Sequence, residues 1–507
     1  MAQEVQSRRA RPETYLFFFA LFAGIILLTH GTFLDLPFFW DEVGHFVPAA
    51  LDLYRDGYWI PRSVTPNVHP PGVALYLTAW WRLAGFSALS TRIAMLFLAA
   101  AGVLVVFLLA IRLCRGVPGA PALLAVALLL SSPLFYTQAM MAQLDMPAMV
   151  FTCLGLLLFL EDRFPAAAGV CVILALVKET GVIVALVLCT WLIAHRRFRP
   201  AAYFLLPALA LAVWLILLQR STGYLFGNPE FTRYNLYYPL HPVRLAVALV
   251  RRFYFLFIED LRWIGTIGIV VAWRNAISIR EPAWRLAALL VAAHIAFFSV
   301  LGGATLERYL LPVFPLVLIA IVAAISRLST LLRTSALGAI MAASLLANFW
   351  NPPYPFPFEN NLACTDFVRV QQAAARFVAR TFPAERITTA WPLSAALRMP
   401  ELGYVQHRMR VAALPDFYPE TVAAMNWDQV EVLILYSRVW SPPWNLLELQ
   451  PVRTFWNRFY GYEPEAADAP ASGHMMPVAK WERRGQWAEV YINSSLIRKP
   501  HPVTAAP

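Results

Sequence analysis

The chain has 507 residues, 59% of them hydrophobic and only 14% charged, with a formal net charge of +11 and a mean hydropathy of +0.58. Soluble domains carry about 25% charged residues, so this composition excludes a simple soluble protein and points to a polytopic membrane protein. The positive charge does not imply nucleic acid. No basic stripe with interleaved aromatics appears, and the arginines flank apolar runs (Arg8, Arg9, Arg11, Arg112, Arg115, Arg196, Arg197, Arg199, Arg327, Arg333), as positive-inside topology requires.

The N-terminal MAQEVQSRRARPE precedes an apolar run from Tyr15 to about Leu34, long enough at about 20 residues to span a bilayer. No small-residue cleavage site follows, so it reads as an uncleaved signal anchor with the N-terminus inside, and Arg8-Arg9 as topogenic charge. Apolar runs predict eleven spans, near 14–34, 91–113, 120–134, 147–160, 166–178, 181–194, 201–218, 262–273, 286–301, 309–326 and 335–350. The Arg-bearing connectors HRRFRP, WRNAISIREPAWR and SRLSTLLR then fall inside, whereas Asp41, Asp145, Lys178 and Arg308 fall outside. Val243 to Ile258 is apolar but carries Arg251-Arg252. An adjacent Arg pair at mid-span is costly, so this segment reads as an interfacial helix.

The first outer loop, about 35–90, is too long for a connector. It opens FFWDEVGHF, placing Asp41 and Glu42 side by side and His45 one helical turn beyond Asp41. Carboxylates at a membrane surface are costly unless hydrated, paired or used, and one within reach of a hydroxyl serves as a general base. The plainer alternative is a cap on a juxtamembrane helix over 42–55, whose stripe Val43, Phe46, Val47, Ala50, Leu51 and Tyr54 has helical spacing. A second amphipathic piece, HPPGVALYLTAWWRLAGF, starts at His69.

The second outer loop, SSPLFYTQAMMAQLDMPAMVF, holds Tyr136 and Asp145. Pro147 marks a helix start, so Asp145 is either its cap or a ligand for substrate. Lys178-Glu179 stands between two short spans, and Lys178 is the only lysine in residues 1–350. It can snorkel, or offer a point charge to a lipid phosphate. Arg308-Tyr309, in GGATLERYLLPVFP, supplies a bidentate phosphate ligand or an ion pair with Glu307.

The five cysteines form no disulfide framework and read as small core hydrophobes. Histidine spacing does not match a metal motif. Asp41, Glu42, His45 and His69 are candidate ligands for a divalent ion, but no cofactor is expected, and the lack of a Gly-rich phosphate loop argues against a soluble nucleotide-sugar donor. Beyond residue 351 the composition changes. NPPYPFPFEN predicts an extended hinge. A helix over Asp366–Phe382, strands at ITTAW (387–391) and VEVLILY (430–436), and helical and hairpin signals over 444–493 predict a small soluble α/β domain on the outer face. The expected domains are therefore 1–350, transmembrane, and 351–507, extracytoplasmic.

In order and on one face, Asp41-Glu42-x-x-His45-Phe46, His69-Pro70-Pro71-Gly72, Tyr136 through Asp145-Met146-Pro147, Lys178-Glu179 and Arg308-Tyr309-x-x-Pro312 resemble the GT-C glycosyltransferases that use polyprenyl-phosphate sugars. The pattern is most similar to the bacterial protein O-mannosyltransferase and aminoarabinose transferase superfamily, over about residues 10–330. It departs from the mannosyltransferases at Ala139 through Gln143, where they carry a Ser-Arg pair, and 351–507 shows no sugar-binding trefoil. Both departures weigh against a protein acceptor.

The resemblance implies a GT-C type polytopic helical protein of the inner (plasma) membrane with a small outer α/β domain. It implies inverting transfer of one sugar from a polyprenyl phosphate to an acceptor hydroxyl of a lipid, glycan or protein. Asp41 would be the base; Glu42, His45, His69, Tyr136 and Asp145 would orient acceptor and sugar; Lys178, Arg308 and Tyr309 would hold the donor phosphate. A lipid-linked glycan flippase is the alternative, although transporters usually place charges near the midplane and repeat their halves. A third reading makes 351–507 a ligand sensor on a membrane scaffold.

Overall fold

The structure, a computed structural model, describes residues 11–274, 281–350, 358–438, 446–460 and 475–495. Two compact units emerge. The first comprises residues 1–34, 50–85 and 90–347, and the second comprises 35–49, 86–89 and 348–507.

The first unit is helical throughout, and a helix occupies each of the eleven predicted apolar runs. Among the described residues, Pro12–Phe33, Ala88–Leu113, Phe198–Thr222, Pro282–Val300 and Thr330–Ala347 are long and apolar enough to cross a membrane. The 26 residues of Ala88–Leu113 extend about 39 Å at 1.5 Å per residue, more than the hydrocarbon thickness. Shorter apolar helices, Asp145–Leu160, Phe164–Val177, Glu179–Ala194, Arg262–Ala272 and Phe314–Ile325, pack among them.

The run predicted as one span at 120–134 is broken. Pro121–Ser131 and Pro133–Ala139 meet at 71°. Pro133 has no N–H to continue the ladder, and it forces Ser132 into an extended conformation at φ −68°, ψ 127°. The segment read as interfacial is the helix Pro242–Phe257.

A second break shapes the site. Phe164–Val177 stops at Lys178, which is extended at φ −147°, ψ 122°, and the chain resumes through the 3-10 turn Glu179–Gly181 into Val182–Ala194. Irregular backbone at membrane depth persists only where protein or a polar cavity satisfies it. Gly181 makes the tight return: a Cβ there would stand 2.5 Å from Leu174 Cγ.

The second unit contains one five-stranded sheet, ordered β2-β1-β3-β5-β4, with β1 Arg386–Ala390, β2 Arg410–Leu414, β3 Val432–Tyr436, β4 Met475–Arg483 and β5 Gln486–Asn493. β1 runs parallel to β2 and β3, while β5 pairs antiparallel with β3 and β4. Strand β3, VLILY, is buried at every residue, as a central strand covered on both faces should be. The helix Ala363–Thr381 lies against β4 and β5, Phe377 meeting Trp481 edge-on at 5.5 Å, with Phe367, Val370, Ala374 and Val378 buried. The predicted strands 387–391 and 430–436 correspond to β1 and β3, and the hairpin signal to β4–β5; β2 was not anticipated. Of the predicted hinge, residues 351–357 lie outside the described residues, and Phe358–Asn360 is a short 3-10 turn.

Residues 35–49 group with this sheet unit although they follow the first membrane helix in sequence. Their aromatic run explains it. Phe38 is fully buried and its carbonyl accepts the Tyr404 hydroxyl at 2.9 Å, while its N–H donates to Leu402 O at 3.3 Å. Phe39 and Trp40 pack edge-on against Phe367 at 5.5 and 5.8 Å, and Trp40 meets Trp391 at 4.8 Å.

Candidate functional site

In the helical unit, three predicted residues from three separate segments converge. Asp145 opens the helix Asp145–Leu160, with Leu144 rather than Asp145 itself as the capping residue. Negative charge in a first turn is favoured by the helix dipole. Lys178 occupies the extended break described above, and Arg308 sits in the short turn Glu307–Leu310.

Lys178 Nζ lies 2.5 Å from Asp145 Oδ1, and Arg308 Nη1 lies 3.2 Å from Asp145 Oδ2. All three are buried, at 1%, 4% and 4% exposure for Asp145, Lys178 and Arg308. One carboxylate therefore holds two cations. Charge sequestered this way is strongly stabilised by its partners and costly to disrupt.

Tyr309 completes the arrangement. Lys178 Nζ stands 4.6 Å over its ring and 5.5 Å over the ring of Phe298, and the two rings stack at 5.4 Å. Their faces add cation–π attraction to the ammonium. The Phe298 carbonyl accepts a hydrogen bond from Arg252 Nη2, so one arginine of the pair read as interfacial braces this wall.

Two members were not singled out from the sequence. Gln143 Oε1 accepts a 2.6 Å hydrogen bond from Arg308 Nη1, while Gln143 Nε2 is buried with no hydrogen-bond partner. The only sequence signal for Gln143 was its position two residues before Asp145. Phe298 gave none, being one apolar residue among many in its helix.

His69 does not join the cluster by direct contact. Its Nδ1 lies 2.9 Å from Glu179 Oε2, the residue next to Lys178, and Phe231 packs on its ring at 5.6 Å. This pairing tethers the helix break from the neighbouring segment. It depends on a close approach just downstream: a Cβ at Gly72 would lie 2.4 Å from the Leu176 carbonyl oxygen. Gly72→Ala should therefore destabilise the protein by about 1–3 kcal/mol through overpacking. Thermal unfolding in detergent is the check, and an unchanged midpoint would contradict the close approach.

Tyr136 is engaged elsewhere in the unit. Its hydroxyl donates to Thr29 O at 2.6 Å, its carbonyl pairs with His30 Nε2 at 2.9 Å, and the two rings stack at 4.0 Å. Glu307 faces Arg251 Nη2 at 3.6 Å, while Arg308 reaches Asp145 and Gln143. Burial pushes the Glu307 carboxyl above its ordinary value, and Arg251 pulls it only partly back.

Asp41, Glu42 and His45 belong to the sheet unit. The helix expected over 42–55 begins as a wide π-type turn, Glu42–Phe46, and becomes α-helical over Val47–Asp56. Asp41 is half-buried at the N-cap position of that turn, without a side-chain capping bond, and Glu42 lies in its first turn. Glu42 ties the turn back to the preceding chain: it is fully buried, and its Oε2 accepts the Phe39 N–H at 2.8 Å. Gly44 closes the turn against Trp391, where a Cβ would meet Cζ2 at 2.8 Å. His45 is half-buried, edge-on to Phe46.

Among the described residues no group of three or more His, Cys, Asp or Glu side chains is disposed to hold a metal ion. All five cysteines are free thiols, four of them buried.

No protein-family model and no curated protein matches the chain. Solved structures do. The chain is similar to ArnT from Cupriavidus metallidurans bound to undecaprenyl phosphate, with a TM-score of 0.55 at 15% identity, covering 96% of this chain and 100% of that one. The apo state of the same protein gives a TM-score of 0.54 at 16% identity, over 93% and 97% of the two chains. A multi-pass helical membrane protein carrying a small mixed sheet, with nearly the whole of both chains superposed, has the GT-C fold.

Proposed function

We propose that this chain is a membrane glycosyltransferase that moves a sugar from a polyprenyl-phosphate donor to an acceptor hydroxyl. The observation that carries the reading is the buried Lys178–Asp145–Arg308 cluster with its unsatisfied Gln143 amide. Two cations converging on one point are what a phosphodiester monoanion would pair with. The similar ArnT structure holding undecaprenyl phosphate supports a lipid phosphate as the anion.

The reaction in this reading is a single inverting displacement. The acceptor oxygen bonds to the anomeric carbon as the bond from that carbon to the phosphate oxygen breaks. The electron pair leaves on the phosphate, and the hydroxyl proton passes to the base, assigned to Asp41. A lipid phosphate is a good leaving group that needs no proton, so the chemistry demands cations where charge grows. Lys178 supplies a point charge and Arg308 a planar fork, with Gln143 Nε2 adding a donor. Tyr309 fixes the ammonium against its ring. His69 acts through Glu179 on the placement of Lys178, while Glu42 shapes the turn that presents Asp41 and His45. In this reading the N-terminus is cytoplasmic and the sheet unit, 351–507 with its added 35–49, lies outside the inner membrane.

The test uses purified protein in detergent or nanodiscs, incubated with a panel of radiolabelled undecaprenyl-phosphate sugars and membrane extract as acceptor source. Wild type should consume one donor and release lipid phosphate, and Asp41→Asn should lower that rate by about 100-fold or more. Equal consumption by both proteins would remove Asp41 from the role of base.

A further inference from the structure

The sheet unit carries a second concentration of positive charge, far in sequence from the buried cluster. Strand β2 is an edge of the sheet. Beside it lies an open, shallow concavity of about 450 Å³ lined by Arg398, Arg408, Met409, Arg410 and Val411. All three arginines are exposed, and among the described residues none of them is ion-paired with a carboxylate.

Two of the three are held in place by backbone. Arg398 Nη2 donates to Val411 O at 2.9 Å, and Arg410 Nη1 donates to Ala384 O at 3.2 Å. These bonds orient the guanidinium groups without neutralising them. Met409, buried between Arg408 and Arg410, and Val411 give the cavity an apolar lining.

The neighbouring strand adds a fourth charge. In the parallel β1–β2 register Arg386 is directly opposite Arg410. Register partners in a sheet share a face, and like charges placed opposite each other are destabilising. Arg386 is also exposed. Two carboxylates stand by this strand, Glu431 accepting the Arg386 backbone N–H and Glu385 the Ala384 N–H at 3.1 Å, so the charge on β1 is partly offset and the excess lies with the three arginines of the lining.

We propose that this pocket is a binding site for a small soluble polyanion carrying two or more phosphate or carboxylate groups. Guanidinium forks match both oxyanions in bidentate geometry, and several fixed cations around one concavity favour a multivalent ligand over a monovalent one. The volume is within the range of small-ligand sites. The site stands on the sheet unit alone and does not depend on whether the helical unit transfers a sugar.

The test is direct binding to the full-length protein in nanodiscs of zwitterionic lipid, by isothermal titration with inorganic pyrophosphate and with digalacturonate. Wild type should bind at least one of them saturably, and tighter at about 50 mM than at about 200 mM salt because exposed charges are screened. Arg408→Ala should weaken binding about 10-fold, and the triple variant Arg398→Ala, Arg408→Ala, Arg410→Ala should abolish it. Arg308→Ala should leave it unchanged, which separates this pocket from the buried cluster. Three outcomes overturn the proposal: pyrophosphate binding retained by the triple variant, competition by acetate as effective as by pyrophosphate, or loss confined to binding of anionic phosphatidylglycerol vesicles. The last would make the patch a contact for a lipid surface.

Discussion

Replacing Arg308 by alanine should lower kcat/KM for donor consumption by about 10²–10³-fold, the cost typical of deleting one preorganised donor to developing charge. The protein itself should survive the change. Asp145 keeps Lys178 at 2.5 Å, so what remains is a neutral buried pair, and Gln143 loses one partner. Arg308→Lys separates charge from shape. It restores one positive charge but loses the fork that reaches Gln143 and Asp145 from a single Nη1, and its rate should lie between those of wild type and alanine. Initial rates with the preferred undecaprenyl-phosphate sugar, alongside thermal midpoints, decide the matter. A normal midpoint with a normal rate in Arg308→Ala would show that the donor phosphate does not use this cation.

The pieces of this site were visible in the sequence, and their assembly was not. Lys178 stood out as the only lysine in 350 residues, and Asp145 and Arg308 as charges beside apolar runs. Nothing local links them, because residue 145 is 33 positions from 178 and 163 from 308. Hydropathy placed a helix at each apolar run because such a run is a strong, local signal. It misjudged 120–134, where the Ser132-Pro133 break folds back a run that is apolar throughout.

The sheet unit shows the same division. Strand β3 announces itself as VEVLILY, a continuous buried run, and β1 as a short β-branched one. The edge strand β2, RVAAL, has no fully buried residue and no alternation between faces, so periodicity had nothing to detect. The grouping of 35–49 with this unit was equally hidden. Phe38, Phe39 and Trp40 read as the start of the outer loop, and only their partners Tyr404, Phe367 and Trp391 reveal a core that residues from far along the chain complete.

Asp145→Asn should show whether the cluster is built for an anion. In the unliganded protein this change removes the carboxylate that Lys178 and Arg308 share, and it should destabilise the fold by about 3–5 kcal/mol. A purely structural salt bridge predicts that loss and nothing further. A phosphate site predicts a remedy as well. Undecaprenyl phosphate brings the missing negative charge to the same two cations, and in the variant it no longer competes with Asp145 for them. Ligand that binds only the folded state stabilises by RT ln(1 + [L]/Kd), about 2.7 kcal/mol at a hundredfold excess over Kd. Tighter binding therefore appears directly as a larger shift. The thermal midpoint of Asp145→Asn should rise more with undecaprenyl phosphate than that of wild type, and undecaprenol, which shares the tail but lacks the charge, should not reproduce the difference. Equal shifts for alcohol and phosphate would assign the binding to the tail alone and leave the two cations with a structural role.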